Sequence, residues 1–470
     1  MSTASKNGRL TLTRPICPQC VKLQEEVKRL RAENHRLKEQ NRYQQRKIAE
    51  GYFGASTPSS KKPFKANTQA AHNHGGARAG HRGHGRRLIS EQQADVVQEI
   101  NLADHVCPDC KVALNYVDSR SRQVVDMASI KVKSIVNQLQ RWRCPNCRRP
   151  FRAKAPEVLP KCEFGNTLLA NVATEHYFHG IPMNRVATRL DLNAGSLLEA
   201  MHRLARHLHN IPDQLIAEYR QAPVKHADET GWRNDGGNAF AWFYGTPDTS
   251  IFRLRPSRSA RVVREVLGEE PLPGVLVVDR YNAYNQAPCL LQYCYSHLLR
   301  EVQALGKEFP THQEVQNFST TAAPLLADAI KLRSLSITDK AFYDRADLLR
   351  LDIEQVMHSP AQQAGIQKIQ NIFRENASRL YHWAKDRAVP ADNNLSERDL
   401  RSLVIARKIS FGSQSPAGAK TREILMTTLV TLSKRFGQAE VIPRLKACLD
   451  QLANDPKQDC YQLLFATNTS

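Results

Sequence analysis

The sequence predicts a multidomain α+β chain whose core is a mixed α/β sheet interrupted by a helical insertion. Three observations lead there. Residues 222–304 read as strand, strand, strand, helix, strand, strand, helix. Acidic residues stand on the first of those strands (Asp228), at the end of the fourth (Asp279) and in the first turn of a later helix (Glu397), 51 and 118 residues apart. Six of the eleven cysteines fall into three Cys-x-x-Cys pairs, all upstream of that core.

Residues 1–50 open the chain. Leu23, Val27, Leu30, Asn34, Leu37, Asn41, Gln44 and Ile48 alternate by four and three positions, as in the seam of a coiled coil whose core Asn fixes register at some cost in stability. An amphipathic helix packed on the body fits the same spacing. Cys17 and Cys20 are either free thiols or half of a metal site. Residues 51–92 form a basic linker with His72, His74, His81 and His84 among Gly and Arg, too polar to bury a core without a partner. In residues 93–160, Cys107-Pro-Asp-Cys110 and Cys144-Pro-Asn-Cys147 are matching knuckles. Two thiolates from each would close a tetrahedral structural Zn²⁺ site, a zinc ribbon with strands at 122–126 and 134–141. Residues 161–215 read as helical. Helices at 183–190 and 196–208, the second capped by Ser196, resemble a helix-turn-helix; an ordinary helical hairpin accounts for the pattern equally.

Residues 216–305 carry the first part of the sheet. Strand-like runs at 224–230, 239–245 and 251–255 are separated by Asn234-Asp235-Gly236-Gly237 and Pro247-Asp248. A helix at 259–267 leads to 274–278, a continuous apolar run of the buried parallel kind. A short strand at 292–295 and a helix at 296–307 follow. A helical crossover from an antiparallel meander to a parallel strand makes the first and fourth strands central neighbours. Asp228 and Asp279 would then meet at the carboxyl edge, where open α/β sheets carry their sites. Residues 306–385 are a helical insertion with helices at 320–333, 339–357 and 361–379. In residues 386–450, Asp392-Asn393-Asn394 starts a helix over 395–408 that carries Glu397, Arg401 and Lys408 near one another. Residues 451–470 are a tail.

Three converging carboxylates are what two Mg²⁺ ions need in order to cut and rejoin nucleic acid. Taken singly, each acid reads more simply as a turn or cap residue, and Glu397 with Arg401 as an i,i+4 surface pair. The three together, in strand–strand–helix order, point to an RNase H-like site.

The motifs Asp228-Glu229-Thr230-Gly231-Trp232, Asp279-Arg280-Tyr281-Asn282-Ala283-Tyr284-Asn285, Ser296-His297-Leu298-Leu299-Arg300, Asp392-Asn393-Asn394-Leu395-Ser396-Glu397-Arg398 and Arg407-Lys408-Ile409-Ser410-Phe411-Gly412-Ser413 resemble the DDE transposases of bacterial insertion sequences, specifically insertion-sequence family sixty-six. The resemblance spans about residues 20–440. It implies that Asp228, Asp279 and Glu397 are the catalytic, Mg²⁺-holding triad, and that small accessory transposition proteins are frequent companions. The family pattern often has Cys-Trp-Ala before its His; Cys294-Tyr295-Ser296 stands here, so His297 reads as a core histidine.

Net charge is +21, and residues 1–90 hold 19 Lys and Arg against 5 Asp and Glu, which calls for a polyanionic partner. The arm has no apolar companion face and the chain no long apolar run, so DNA is expected rather than a membrane. Arg82, Arg86 and Arg87 in the arm are expected to contact DNA. So are Arg401 and Lys408 beside the acids; Arg407 either assists or is structural. Trp232 and Tyr281 either stack on a base or pack in the core. A bacterial cytoplasmic homodimer that cleaves transposon ends and transfers strands is the leading expectation. A dimeric zinc-containing regulator and an RNase H-like nuclease without strand transfer are the alternatives.

Overall fold

The computed structural model describes residues 18–50, 132–143, 150–152 and 154–466, with isolated positions at 92, 97, 111–113, 145 and 147. Residues 1–62 and 137–470 form one unit and residues 63–136 another; every element below belongs to the first. Helix α1 (Pro18–Glu50) leaves Leu23, Val27, Leu30 and Leu37 exposed, while Glu39 meets His312 at 3.3 Å and Arg42 lies over the Phe309 ring. Strands β1 (Arg141–Arg143) and β2 (Pro150–Arg152) pair antiparallel. The strand expected at 134–141 is therefore displaced: 134–140 have no regular structure and pairing begins at Arg141.

The helical stretch before the sheet comprises α2 (Asn166–Ala173), a π-helical turn (Thr174–Phe178), α3 (Met183–Leu190), α4 (Ala194–His207) and α5 (Ile211–Gln221). Between α3 and α4 the expected turn is present, closed by Asp191 in a left-handed conformation. The cap differs. Asn193, not Ser196, caps α4, its Oδ1 accepting from the Ser196 N–H at 3.1 Å, so the helix starts two residues early.

Five strands follow: β3 (Val224–Asn234), β4 (Gly237–Gly245), β5 (Ser250–Arg255), β6 (Val275–Val278) and β7 (Leu290–Tyr293), with α6 (Ala260–Leu267) between β5 and β6. Their order is β5-β4-β3-β6-β7, antiparallel from β5 to β3 and parallel from β3 to β7. Strand β3 runs four residues beyond its expected end because Asp235 and Gly236 both take positive φ, the turn geometry that keeps a tight hairpin in register. At Gly274 a side chain would collide with the Pro223 carbonyl, so the β6 entry needs glycine to lie beside β3.

Helix α7 (Tyr295–Glu308) leads into α8 (Gln313–Leu332), α9 (Asp339–His358), α10 (Ala364–Glu375) and α11 (His382–Lys385). Then come α12 (Asn394–Ser410), α13 (Pro416–Phe436), α14 (Val441–Asn454) and α15 (Cys460–Phe465). Helix α13 seals the open edge of the sheet. Glu423, Thr427 and Thr431, four residues apart on one helical face, accept the free N–H groups of Leu254, Phe252 and Ser250 on β5. Four helical residues rise about 6 Å and two strand residues about 6.7 Å, so the two ladders stay in step. That blunts an edge otherwise available for pairing with another chain. Among the described residues no helix is long and apolar enough to cross a membrane.

Candidate active site

Side chains of β3 alternate between two faces, and each face has its own helix. On the odd face, Trp242 and Tyr244 of β4 pack toward α6, with the Tyr244 hydroxyl donating to the Val262 carbonyl. The even face meets α12 and the residues flanking it at three points. His226 Nδ1 lies 2.9 Å from Asn393 Oδ1, and the Asn393 amide donates to the Ala227 carbonyl at 2.8 Å. Arg407 donates to Thr230 Oγ1 at 3.2 Å and to the Gly231 carbonyl. Trp232 Nε1 donates to Ser413 Oγ at 3.2 Å, and Ser413 N–H to the Arg233 carbonyl at 2.9 Å. Gly412 at φ 122° makes that last approach possible, since a Cβ there would strike the Arg233 carbonyl.

Strand and helix thus run side by side in one direction, pinned at both ends. From His226 to Asp228 the strand advances about 6.6 Å, and from Asn393 to Glu397 the helix advances about 6 Å. Glu397 is therefore carried to the level of Asp228. Asp279 follows β6, the parallel neighbour of β3, where its Oδ1 accepts the Tyr281 N–H at 2.8 Å. The start of α12 is further tied down by Cys294, whose Sγ accepts the Asn393 N–H at 3.2 Å, and by Tyr295 N–H donating to the Ala391 carbonyl.

Electrostatics bear the marks of this convergence. Burial, the neighbouring Glu229 and the Asp279 charge push the Asp228 carboxyl well above its ordinary range, and the Glu397 charge adds to the effect. Burial and Glu229 push Asp279 up to about 7, against the pull of the Tyr281 N–H, Arg258 and Arg280. Burial holds His226 down at about 4, so it stands neutral beside Asn393. Two carboxyls that resist ionising together are the situation a divalent cation relieves, and carboxylate oxygen is the donor that Mg²⁺ takes. In chemistry, then, the acids fit the ion. In geometry they fit in part: among the described residues no group of three or more His, Cys, Asp or Glu stands close enough to hold a metal. Glu397 is instead engaged by Arg300 of α7, Nη2 to Oε1 at 2.7 Å.

The other expected site residues divide. Arg401 and Lys408 are exposed on α12, in line with Arg398. Arg407 is turned inward onto β3, which makes it a structural tie rather than an open DNA contact. Trp232 is buried against Ser413 and packs in the core. Tyr281 is half-buried under the Arg258 guanidinium, 3.8 Å from its centroid. His297 is buried, and Cys294 accepts its backbone N–H. Cys147 is a free, exposed thiol. Cys17, Cys107, Cys110 and Cys144, and Arg82, Arg86 and Arg87 with the histidine tract, lie outside the described residues. Sequence reasoning missed Asn393, Arg300 and Glu229 as parts of the site. All three sit inside the motifs named above, which was the available signal; Glu229 follows Asp228 and was hidden by it.

The family described as "Transposase IS66 family" matches residues 161–421, which include all three acids. Two proteins of Sinorhizobium fredii are also similar to the chain. One, "Uncharacterized protein y4jD", is 24% identical over 378 residues, covering 70% of this chain and 71% of the relative. The other, "Uncharacterized protein y4hP", is 21% identical over 376 residues, covering 71% and 68%.

Proposed function

The chain belongs to the IS66 family of transposases, and on that premise we propose that it cuts DNA at the ends of its element and joins the freed 3′ ends to target DNA. One observation carries this reading: the pinning of α12 along the even face of β3, which brings Glu397 to the level of Asp228, whose carboxyl feels the charges of both Glu397 and Asp279. The strand order and the position of the acids support an RNase H-like core assembled from residues 216–305 and 386–450, with 306–385 inserted.

Asp228 and Asp279 would hold Mg²⁺, with Glu397 completing the set once its carboxylate leaves Arg300. Bound there, the ions supply an activated water or 3′-hydroxyl and stabilise the leaving oxygen. The protein's own contribution is placement. Asn393 and Cys294 fix the start of α12, Arg407 and Ser413 fix its end, and the Tyr281 N–H orients Asp279. Burial and neighbouring charge hold both the Asp228 and Asp279 carboxyls above their ordinary range, and a bound cation would favour their ionised forms. Arg300, released from Glu397, is left facing the phosphates. Arg401 and Lys408 reach phosphates beyond the acids, and the basic arm with Arg82, Arg86 and Arg87 supplies sequence-independent grip. Cys107, Cys110, Cys144 and Cys147 would hold one structural Zn²⁺, and α1 would pair two copies through its exposed seam.

The test is an in-vitro joining assay with Mg²⁺ and duplexes from the element's termini. Wild type should yield strand-transfer product, while Asp228→Asn and Glu397→Gln should bind the ends and yield none. Nicking without joining would instead support a nuclease. Unchanged joining in both variants would remove the assignment.

A further inference from the structure

We propose that Arg258 is a phosphate-binding residue of this site, held ready by the buried carboxylate of Glu229 on the opposite face of β3 from Asp228. This deepens the strand-transfer reading and rests on it. Glu229 is 2% exposed, in the middle of the sheet, where a charge is costly unless paired and hydrogen-bonded. Both its oxygens are engaged. Arg258 Nε and Nη2 donate to Oε1, and the buried Tyr284 hydroxyl donates to Oε2 at 2.6 Å.

Arg258 is constrained from three sides. Its guanidinium lies on the Tyr281 ring, 3.8 Å from the centroid, and the Tyr281 hydroxyl donates to the Arg258 carbonyl. Tyr281 in turn gives its N–H to Asp279. The guanidinium is thus tied through one residue to an acid of the site. Its side chain is nevertheless 35% exposed, and Nη1 has no hydrogen-bond partner among the described residues. A carboxylate buried behind, a ring beneath and an open edge of N–H donors beside Asp279 make a preorganised fork for a phosphodiester oxygen. A surface ion pair would need neither the burial of Glu229 nor the stacking.

The experiment follows binding of a mixed-sequence DNA duplex to the full chain by fluorescence anisotropy across a KCl series, with Ca²⁺ in place of Mg²⁺. Arg258→Gln should weaken binding roughly tenfold and make the slope of log K against log[KCl] shallower by about 0.9, one phosphate contact. Arg258→Lys should restore the slope but only part of the affinity. Since Arg258→Gln strands a buried carboxylate, the double variant Glu229→Gln with Arg258→Gln, neutral at both positions, is measured beside it and should show the same shallower slope. A double variant that binds as wild type at every salt overturns the proposal, because the loss in the single variant then came from the stranded charge. A wild type whose duplex binding ignores salt overturns the DNA reading itself, and the inference falls with it.

Discussion

Asp279→Asn is predicted to stabilise the metal-free protein, and only above a definite pH. Burial and the Glu229 charge raise the Asp279 carboxyl from its ordinary 3.8 to about 7 in the folded chain. A group that binds its proton more tightly when folded contributes stability that is fully present below its unfolded value. That contribution drains away as pH rises through 4 to 7 and is gone above about 7. The gap of about three pH units, at about 1.4 kcal/mol for each, amounts to about 4 kcal/mol. Asp279 keeps some contact with solvent, which screens part of it, so about 2–4 kcal/mol is expected. Asparagine keeps the Oδ1 that accepts the Tyr281 N–H but cannot ionise. In magnesium-free buffer the variant and wild type should therefore unfold at similar urea concentrations at pH 4, with the variant ahead at pH 8. Adding Mg²⁺ at pH 8 should close the gap by raising the wild type alone, since the ion binds the folded state. Parallel curves from pH 4 to 8, or a wild-type deficit that grows as pH falls, would refute the reasoning.

Asn393→Ala should cost about 2–4 kcal/mol in chemical denaturation, because it leaves the buried Ala227 carbonyl and His226 ring unsatisfied. Joining should be lost with it, as the start of α12 comes adrift. Arg407→Gln should lower stability by about 1–3 kcal/mol through its lost ties to Thr230 and Gly231. Arg401→Gln and Lys408→Gln should melt as wild type and reduce the salt slope of DNA binding by about 0.9 each; melting shifts of the Arg407 kind in either would reverse that division. Native mass spectrometry of the full chain should find one zinc ion, absent in Cys144→Ser; a zinc-free wild type would sink the ribbon.

Much of the sheet was legible because its signals are local. The apolar run of β6, the aromatic β4 and the Asp-Gly turn each announce themselves within a few residues, and the crossover rule then orders the strands. The acids stood out as candidates through local signals too: Asp279 follows a strand's end, Glu397 lies in a helix's first turn, and Asp228 interrupts a strand-like run. Most of what escaped depended on contacts across 90 residues or more. Nothing near Cys294 says that its sulfur accepts a hydrogen bond from the Asn393 N–H, nor near Arg300 that it will clasp Glu397. Glu423, Thr427 and Thr431 look like an ordinary polar stripe until β5 is found beside them. The strand expected at 292–295 lay two residues late, because Tyr293, Cys294 and Tyr295 suit a strand by residue type while Tyr295 turns its N–H to Ala391 and begins a helix.

By itself the sequence determined most elements, their order and the basic arm, and singled out three acids as candidates, since these follow from periodicity, turn chemistry and motif. Tertiary structure decided which charges would feel one another. It set Asp228 and Asp279 in mutual repulsion, gave Glu397 to Arg300, and buried Glu229 behind the pair with Arg258 above it. Proton affinity and pairing are properties of distance and burial, and neither exists along an extended chain.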